Sequence, residues 1–173
     1  MALVVEDGTG KTDADSYLSL TDADSYNLAH SASALWIAAT EAVKEKALRL
    51  ATQYLDVRYA GLWKGAKCSD AQSLAWPRIW AEKSDTYDSA YYDSDAIPQK
   101  LKDATAELAL RVVEGDTLFD DITKPGVISS TSVTVGPISK SVSYSGGYNQ
   151  VKKYPLIDGL IKQLIGVGTL ERG

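Results

Sequence analysis

The sequence has one cysteine, Cys68, and one histidine, His30, among its 173 residues. A single cysteine excludes an internal disulfide and a cysteine-based zinc cluster, and it suits a reducing compartment. A single histidine leaves little room for a histidine-based metal site, and no Ser-His-Asp arrangement has supporting context. No apolar run approaches the length of a membrane-spanning helix. The opening Met1-Ala2-Leu3-Val4-Val5-Glu6-Asp7 lacks the basic and apolar regions of a signal peptide. A basic excess is missing too: the net charge is −5, whereas a general nucleic-acid binder carries a basic face. These absences predict an acidic, soluble domain assembled in a cytoplasm, not an enzyme, with no cofactor, metal site or membrane contact.

What remains is ordinary globular composition, 45% hydrophobic and 24% charged, at a length suited to one domain with a real core. The charge is uneven. Residues 1–28 hold six acids and one base, so the other residues are neutral overall, and 127–173 is mildly basic. An acidic head and a basic tail attract each other between subunits or simply form solvated surface.

The acidic head contains an exact duplication: Thr12-Asp13-Ala14-Asp15-Ser16-Tyr17 recurs as Thr21-Asp22-Ala23-Asp24-Ser25-Tyr26. The second copy reads as a helix start, with Thr21 as cap and Asp22 and Asp24 in the first turn. The first copy reads as extended chain leading to Leu18 and Leu20. The Asp spacing lacks the later Gly and terminal Glu of a calcium loop. Gly8-Thr9-Gly10-Lys11-Thr12 resembles the end of a phosphate-binding loop, but Val5 stands where its first Gly belongs. A turn is the better reading there. His30 falls at the end of the helix begun at Thr21, where a capping or surface role is ordinary.

Two longer helices carry the strongest periodicity. One runs from about Glu41 to Tyr59 after Thr40, with a polar stripe at Glu45, Arg49, Thr52, Gln53 and Asp56 and apolar residues over the rest. The other runs from Pro98 to about Glu114, with Leu101, Ala104, Leu108 and Val112 as its core stripe and Lys100, Asp103, Glu107 and Arg111 outside. Between them, 60–95 is irregular and aromatic. Trp63, Trp76, Trp80, Tyr87, Tyr91 and Tyr92 interleave with Lys64, Lys67, Arg78 and Lys83. That pattern fits a stacking platform for single-stranded nucleic acid, with Trp63, Lys64, Lys67, Trp76, Arg78 and Trp80 as candidate contacts. Acids in the same stretch cancel its positive charge, which favours the plainer reading of Trp rings plugging a helical core.

After Lys124-Pro125-Gly126, alternation over Val127–Val135 and Ile138–Tyr144 around Gly136-Pro137 predicts a β-hairpin. It is serine-rich and poor in large apolar residues, so it needs a neighbour. Ser145-Gly146-Gly147 then links to a short helix begun by Pro155 and stopped near Gly166, with an apolar stripe at Ile157, Leu160, Ile161 and Leu164. That stripe either closes the domain's own core or docks into another chain. With Val133, Val135, Ile138, Val142 and Tyr144 of the hairpin, it supplies the candidate subunit or partner interface, where Leu160 and Leu164 are expected to meet a neighbour. The expected fold is mainly α: a bundle of three to four helices with a projecting hairpin and a short C-terminal helix. Residues 1–116 would form the helical body, including the aromatic loop at 60–95, and 117–173 the hairpin arm and terminal helix, within one domain overall.

Several runs together resemble a known family. They are Ala2-Leu3-Val4-Val5-Glu6-Asp7-Gly8-Thr9-Gly10 followed by Asp15-Ser16-Tyr17, Ala47-Leu48-Arg49 with Ala51-Thr52-Gln53-Tyr54-Leu55-Asp56, and Leu74-Ala75-Trp76-Pro77-Arg78. Ile97-Pro98 with Leu101-Lys102-Asp103-Ala104-Thr105-Ala106-Glu107-Leu108-Ala109 and Val135-Gly136-Pro137-Ile138 complete the set. In this order they are similar to the head–tail connector (adaptor or neck) proteins of tailed bacteriophages, sequences often labelled DnaT-like single-stranded-DNA-binding proteins. The resemblance implies a structural subunit of the virion neck. It would form a homo-oligomeric ring, usually of twelve copies, beneath the portal protein, pass genomic DNA through its channel and contact a tail or head-completion protein. Its alternative label implies a replication protein that binds single strands.

Overall fold

The computed structural model describes residues 2–84, 90–119, 127–134, 139–145 and 154–166. The chain is mainly helical and divides into two compact units: Met1–Leu118 with Tyr154–Gly168, and Phe119–Lys153 with Thr169–Gly173. The first unit is built on α3 (Glu41–Arg58) and α4 (Gln99–Val113), which pack against each other. Ala47, Leu48, Ala51 and Leu55 of α3 meet a core that also holds Leu101, Ala104 and Leu108 of α4, all buried. Val112, expected in the same stripe, is partly buried against that core.

α1 (Leu20–His30) begins one residue before the expected start, and its cap is Ser19 rather than Thr21. The Ser19 hydroxyl accepts from the Asp22 N–H at 3.1 Å and donates to the Asp22 carboxylate at 2.7 Å. Two partners for one hydroxyl outcompete the single bond Thr21 would offer. The short α2 (Ala34–Ala38), which the periodicity does not announce, buries Trp36. The Trp36 indole N–H donates to Asp24 at 2.8 Å.

The polar stripe of α3 is the main departure from a solvated helix face. Residues 15–17 of the N-terminal segment lie along it. Arg49 pairs with Asp15 at 2.6 Å, Thr52 is buried and its hydroxyl accepts from the Tyr17 N–H, and Asp56 accepts from the Tyr17 hydroxyl. Spacing of three and four residues puts these groups on successive turns, which an extended chain can follow. The apolar Val43 and Val57 are the exposed ones instead.

α5 (Pro155–Ile161) belongs to the first unit, not with the hairpin. Ile157, Ile161 and Leu164 are fully buried there, and Leu160 is partly buried against the same core. Burying each such side chain stabilises by about 1.5–3 kcal/mol. Three of the four expected docking residues therefore close the chain's own core, because α5 lies on α4 and Tyr154, just before it, meets Tyr54 edge to face at 5.5 Å. The helix also ends earlier than expected, at Ile161.

The second unit carries the hairpin. β3 (Val127–Thr134) pairs antiparallel with β4 (Ser139–Ser145), Val133 opposite Lys140, Thr131 opposite Val142 and Ile128 opposite Tyr144. Ser129 is the extra residue of a bulge between Ile128 and Ser130. Val135, Ile138 and the expected turn at Gly136-Pro137 lie outside the described residues, as do 124–126 and 146–147.

The buried Tyr17 hydroxyl generates the first prediction. It donates to Asp56 and accepts from the Ala75 and Trp76 N–H groups. Tyr17→Phe should lower the unfolding free energy by about 1–3 kcal/mol, the cost of leaving buried partners unsatisfied. Urea denaturation measures it, and an unchanged midpoint would refute the role assigned to this hydroxyl.

Candidate nucleic-acid interface

The aromatic segment folds around a short ribbon. β1 (Ala66–Lys67) pairs antiparallel with β2 (Arg78–Ile79), with Lys67 opposite Arg78 and Ala66 opposite Ile79. Gly65 precedes β1 at φ 69°, and a Cβ there would lie 2.2 Å from the Ile79 carbonyl oxygen and 2.7 Å from the Ala81 nitrogen. Only glycine lets the 79–81 backbone close over this position. Held in that close approach, Trp80 takes a left-handed backbone, φ 56°, which a bulky residue adopts only under constraint. Its side chain is 70% exposed.

Arg78 is the strut of the ribbon. Its guanidinium donates to the carbonyls of Lys64 at 2.7 Å, Ala75 at 3.1 Å and Gly65 at 2.7 Å. Burial lowers its pKa from the ordinary arginine value, but a guanidinium stays cationic at neutral pH. Lys64 donates to the Ser84 hydroxyl at 2.6 Å, and Lys83 lies over the Tyr92 ring at 5.4 Å. Exposed acids share the surface of this segment, among them Asp70, Glu82, Asp93 and Asp95.

Of the six candidate contacts, Lys67 and Arg78 stand opposite each other on the ribbon, and Lys64 and Trp80 flank it in the chain. Trp63 and Trp76 turn inward, 8% and 0% exposed. They continue an edge-to-face chain from Tyr59 through Trp63 and Trp76 to Tyr92, with centroids 5.6, 6.4 and 5.6 Å apart. Such rings plug the core, as the plainer reading expected. Trp80 does not. Tyr87 lies outside the described residues. No sequence signal separates Trp80 from its neighbours except Gly65, whose need for φ above zero is visible only once β1 and β2 pair.

The other candidates for chemistry are occupied or ordinary. The phosphate-loop lookalike is filled by its own chain: the buried Glu6 carboxylate accepts from the Gly8, Gly10 and Lys11 N–H groups, each at 2.9 Å. Backbone donors that would cradle a phosphate already hold an anion. His30 caps the end of α1, its Nδ1 2.9 Å from the Tyr26 carbonyl and its ring stacked on Tyr26 at 4.0 Å. Burial raises the Cys68 thiol above its ordinary pKa, the opposite of an activated nucleophile. Among the described residues, no three His, Cys, Asp or Glu side chains gather as metal ligands. No described helix is long and apolar enough to cross a membrane.

Residues 1–172 match the family described as "Putative DnaT-like ssDNA binding protein", and the chain belongs to that family. The match agrees with the DnaT-like label of the resemblance and says nothing for its connector side. No curated protein and no solved structure matches the chain.

Gly65→Ala tests the ribbon. Its new methyl meets backbone on the facing strand, so no side-chain rotation relieves the clash, and a left-handed alanine adds about 1–2 kcal/mol of its own. The variant should keep its helical circular dichroism while losing stability and shifting Trp fluorescence. Wild-type emission and stability in that variant would show that the close approach at 65 does not position Trp80.

Proposed function

We propose that this chain is a non-catalytic binding protein for single-stranded DNA, contacting it through the face that presents Trp80. The supporting observation is the exposed Trp80, its backbone fixed in the left-handed region where the chain leaves the ribbon that carries Lys67 and Arg78, in a member of a family described as binding single strands. Base-on-indole stacking contributes about 1–3 kcal/mol per base and tolerates any sequence. The face lacks the dense positive charge that dominates tight strand binding, and the whole chain is acidic. Affinity per copy should therefore be modest, with a shallow salt dependence. In a fluorescence titration with oligo(dT) at low salt, Trp80→Ala should weaken binding about 5- to 150-fold, the equivalent of one stacked base. A wild-type chain that leaves oligo(dT) free at low salt overturns this reading.

A second reading is the connector subunit of a tailed bacteriophage neck, assembled in the host cytoplasm. It would form a ring on the portal protein and contact a tail or head-completion protein. The hairpin favours it. β3 and β4 form a two-stranded sheet in a unit of their own, and among the described residues their outer edges carry no further strand. A lone ribbon of this size is marginal in water, and a neighbouring copy can extend it by edge pairing. Purified chain mixed with a tailed-bacteriophage portal protein should then form particles with a central channel in electron micrographs. A chain that stays monomeric and leaves the portal rings bare would sink the connector reading.

A further inference from the structure

Tyr91 and Tyr92 are adjacent in sequence and face opposite ways. The chain leaving β2 runs on through Ala81 and pairs with 90–92. The Lys83 N–H donates to the Ala90 carbonyl at 2.8 Å and the Tyr92 N–H to the Ala81 carbonyl at 2.9 Å. Glu82 and Tyr91 are the antiparallel pair between these bonds. Ala81 is fully buried, and the Tyr92 ring meets Trp76 edge to face at 5.6 Å. Successive side chains of a paired strand point to opposite faces, so Glu82 and Tyr91 share the outer one. Both are exposed there, Tyr91 by 51%.

Trp80 stands two residues before Glu82 on the same chain, with the buried Ala81 between them, and its own exposure places it on the outer side. A residue two places from a cross-strand partner is that partner's diagonal neighbour, about 7–8 Å off and within reach of aromatic side chains. Trp80 and Tyr91 are therefore two exposed rings at neighbouring positions of one sheet surface. Neither ring packs on another aromatic among the described residues. Glu82 has no cation within ion-pair distance among them either. One exposed ring on a surface is ordinary. Two at diagonal positions form a platform of the kind on which sheet-based binders of single strands stack two or three bases.

We propose that Tyr91 is the second stacking residue of the single-strand interface. Successive bases of the strand lie on the indole of Trp80 and on the phenol ring of Tyr91, so the unit bound is two adjacent bases. The ring makes the contact, and its hydroxyl is dispensable. Glu82, beside Tyr91, opposes the phosphates, so the contribution of Tyr91 involves no counterion release and is independent of salt. This inference rests on the single-strand reading, and one experiment separates the two.

The full chain and its Tyr91→Phe, Tyr91→Ala and Tyr91→Thr variants are titrated at several salt concentrations with oligo(dT), and with a strand of equal length in which every second base is abasic. Tyr91→Ala should weaken binding to oligo(dT) about 5- to 150-fold, the equivalent of one stacked base. Tyr91→Thr, which keeps a residue suited to a strand, should weaken it as much. Tyr91→Phe should bind as the wild type does. The slope of log affinity against log salt should be the same in all four proteins. The alternating strand denies the two rings adjacent bases, so the wild type should bind it more weakly than oligo(dT), and Tyr91→Ala should lose little more on it. If Tyr91→Ala and Tyr91→Thr bind oligo(dT) like the wild type while Trp80→Ala does not, the Tyr91 proposal falls and the single-strand reading stands. If Tyr91→Phe loses as much as Tyr91→Ala, or Tyr91→Ala loses equally on both strands, the ring does not stack on an adjacent base and the Tyr91 proposal falls. If the wild-type chain leaves oligo(dT) free, both fall.

Discussion

The hydroxyl of Tyr17 joins the three parts of the chain on which the candidate interface is built. It donates to Asp56 on α3 and accepts from the N–H groups of Ala75, at 3.0 Å, and Trp76, at 3.3 Å. Asp56 in turn accepts from Ala75 through its other oxygen. The N-terminal segment, the long helix and the aromatic segment are thereby fixed at one buried point. Burial is the first cause that raises the pKa of both groups, well above the ordinary phenol value for Tyr17 and above its ordinary carboxyl value for Asp56. The knot is therefore costly to desolvate, and it holds because almost every polar atom in it has a partner. Trp76 follows directly into the core, and Arg78 follows Trp76 into the ribbon. The segment that leads to Trp80 is thus anchored, five residues and four residues before it, at Tyr17.

The duplicated hexapeptide shows the same chemistry used in two backbones. The first copy is extended and the second is helical. Ala14 and Ala23 are both buried. Asp15 pairs with Arg49 and Asp24 with Lys44, both cations on α3, at 2.6 and 2.8 Å. Tyr17 donates to Asp56 and Tyr26 to Glu107 on α4. One pattern of small, acidic and phenolic side chains thus clamps the long helices at two levels. The acids that make the head of the chain so negative are consequently spent in part on structural contacts rather than left as solvated surface.

The periodicities of α3 and α4 are legible in the sequence because a 3.6-residue apolar repeat has one stable use, burial against another element. The pairing of β3 with β4 is legible through the alternation of the sequence. What the sequence conceals is what covers a surface. The stripe of Glu45, Arg49, Thr52 and Asp56 reads as solvent-facing, yet residues 15–17 lie on it, because hydrogen bonds from an extended segment leave no periodic trace. The Leu and Ile stripe after Pro155 is correctly apolar, but its partner is α4 of the same chain. An amphipathic face identifies itself, not its mate. The same limit applies to the tryptophans: composition cannot say that Trp63 and Trp76 turn inward while Trp80 turns out, since the difference is made by one backbone contact at Gly65.

On the single-strand reading proposed above, that division of the tryptophans also bears on how an acidic chain would meet a strand. A groove that relied on counterion release would need a row of cations, and this surface interleaves lysines with aspartates and glutamates. A held indole needs no such row. The backbone at Trp80 is constrained by Gly65 and by Arg78, whose guanidinium spans three carbonyls, so on the proposed reading the chain itself would lose little freedom when a base stacks there. On that reading the neighbouring acids would limit dwell time rather than abolish contact, since like charge opposes the phosphates without touching the base. Under the proposed function a face of this kind would favour repeated, shallow engagement over tight capture. Such engagement serves a protein that accompanies a strand, and it equally suits a subunit past which DNA must slide.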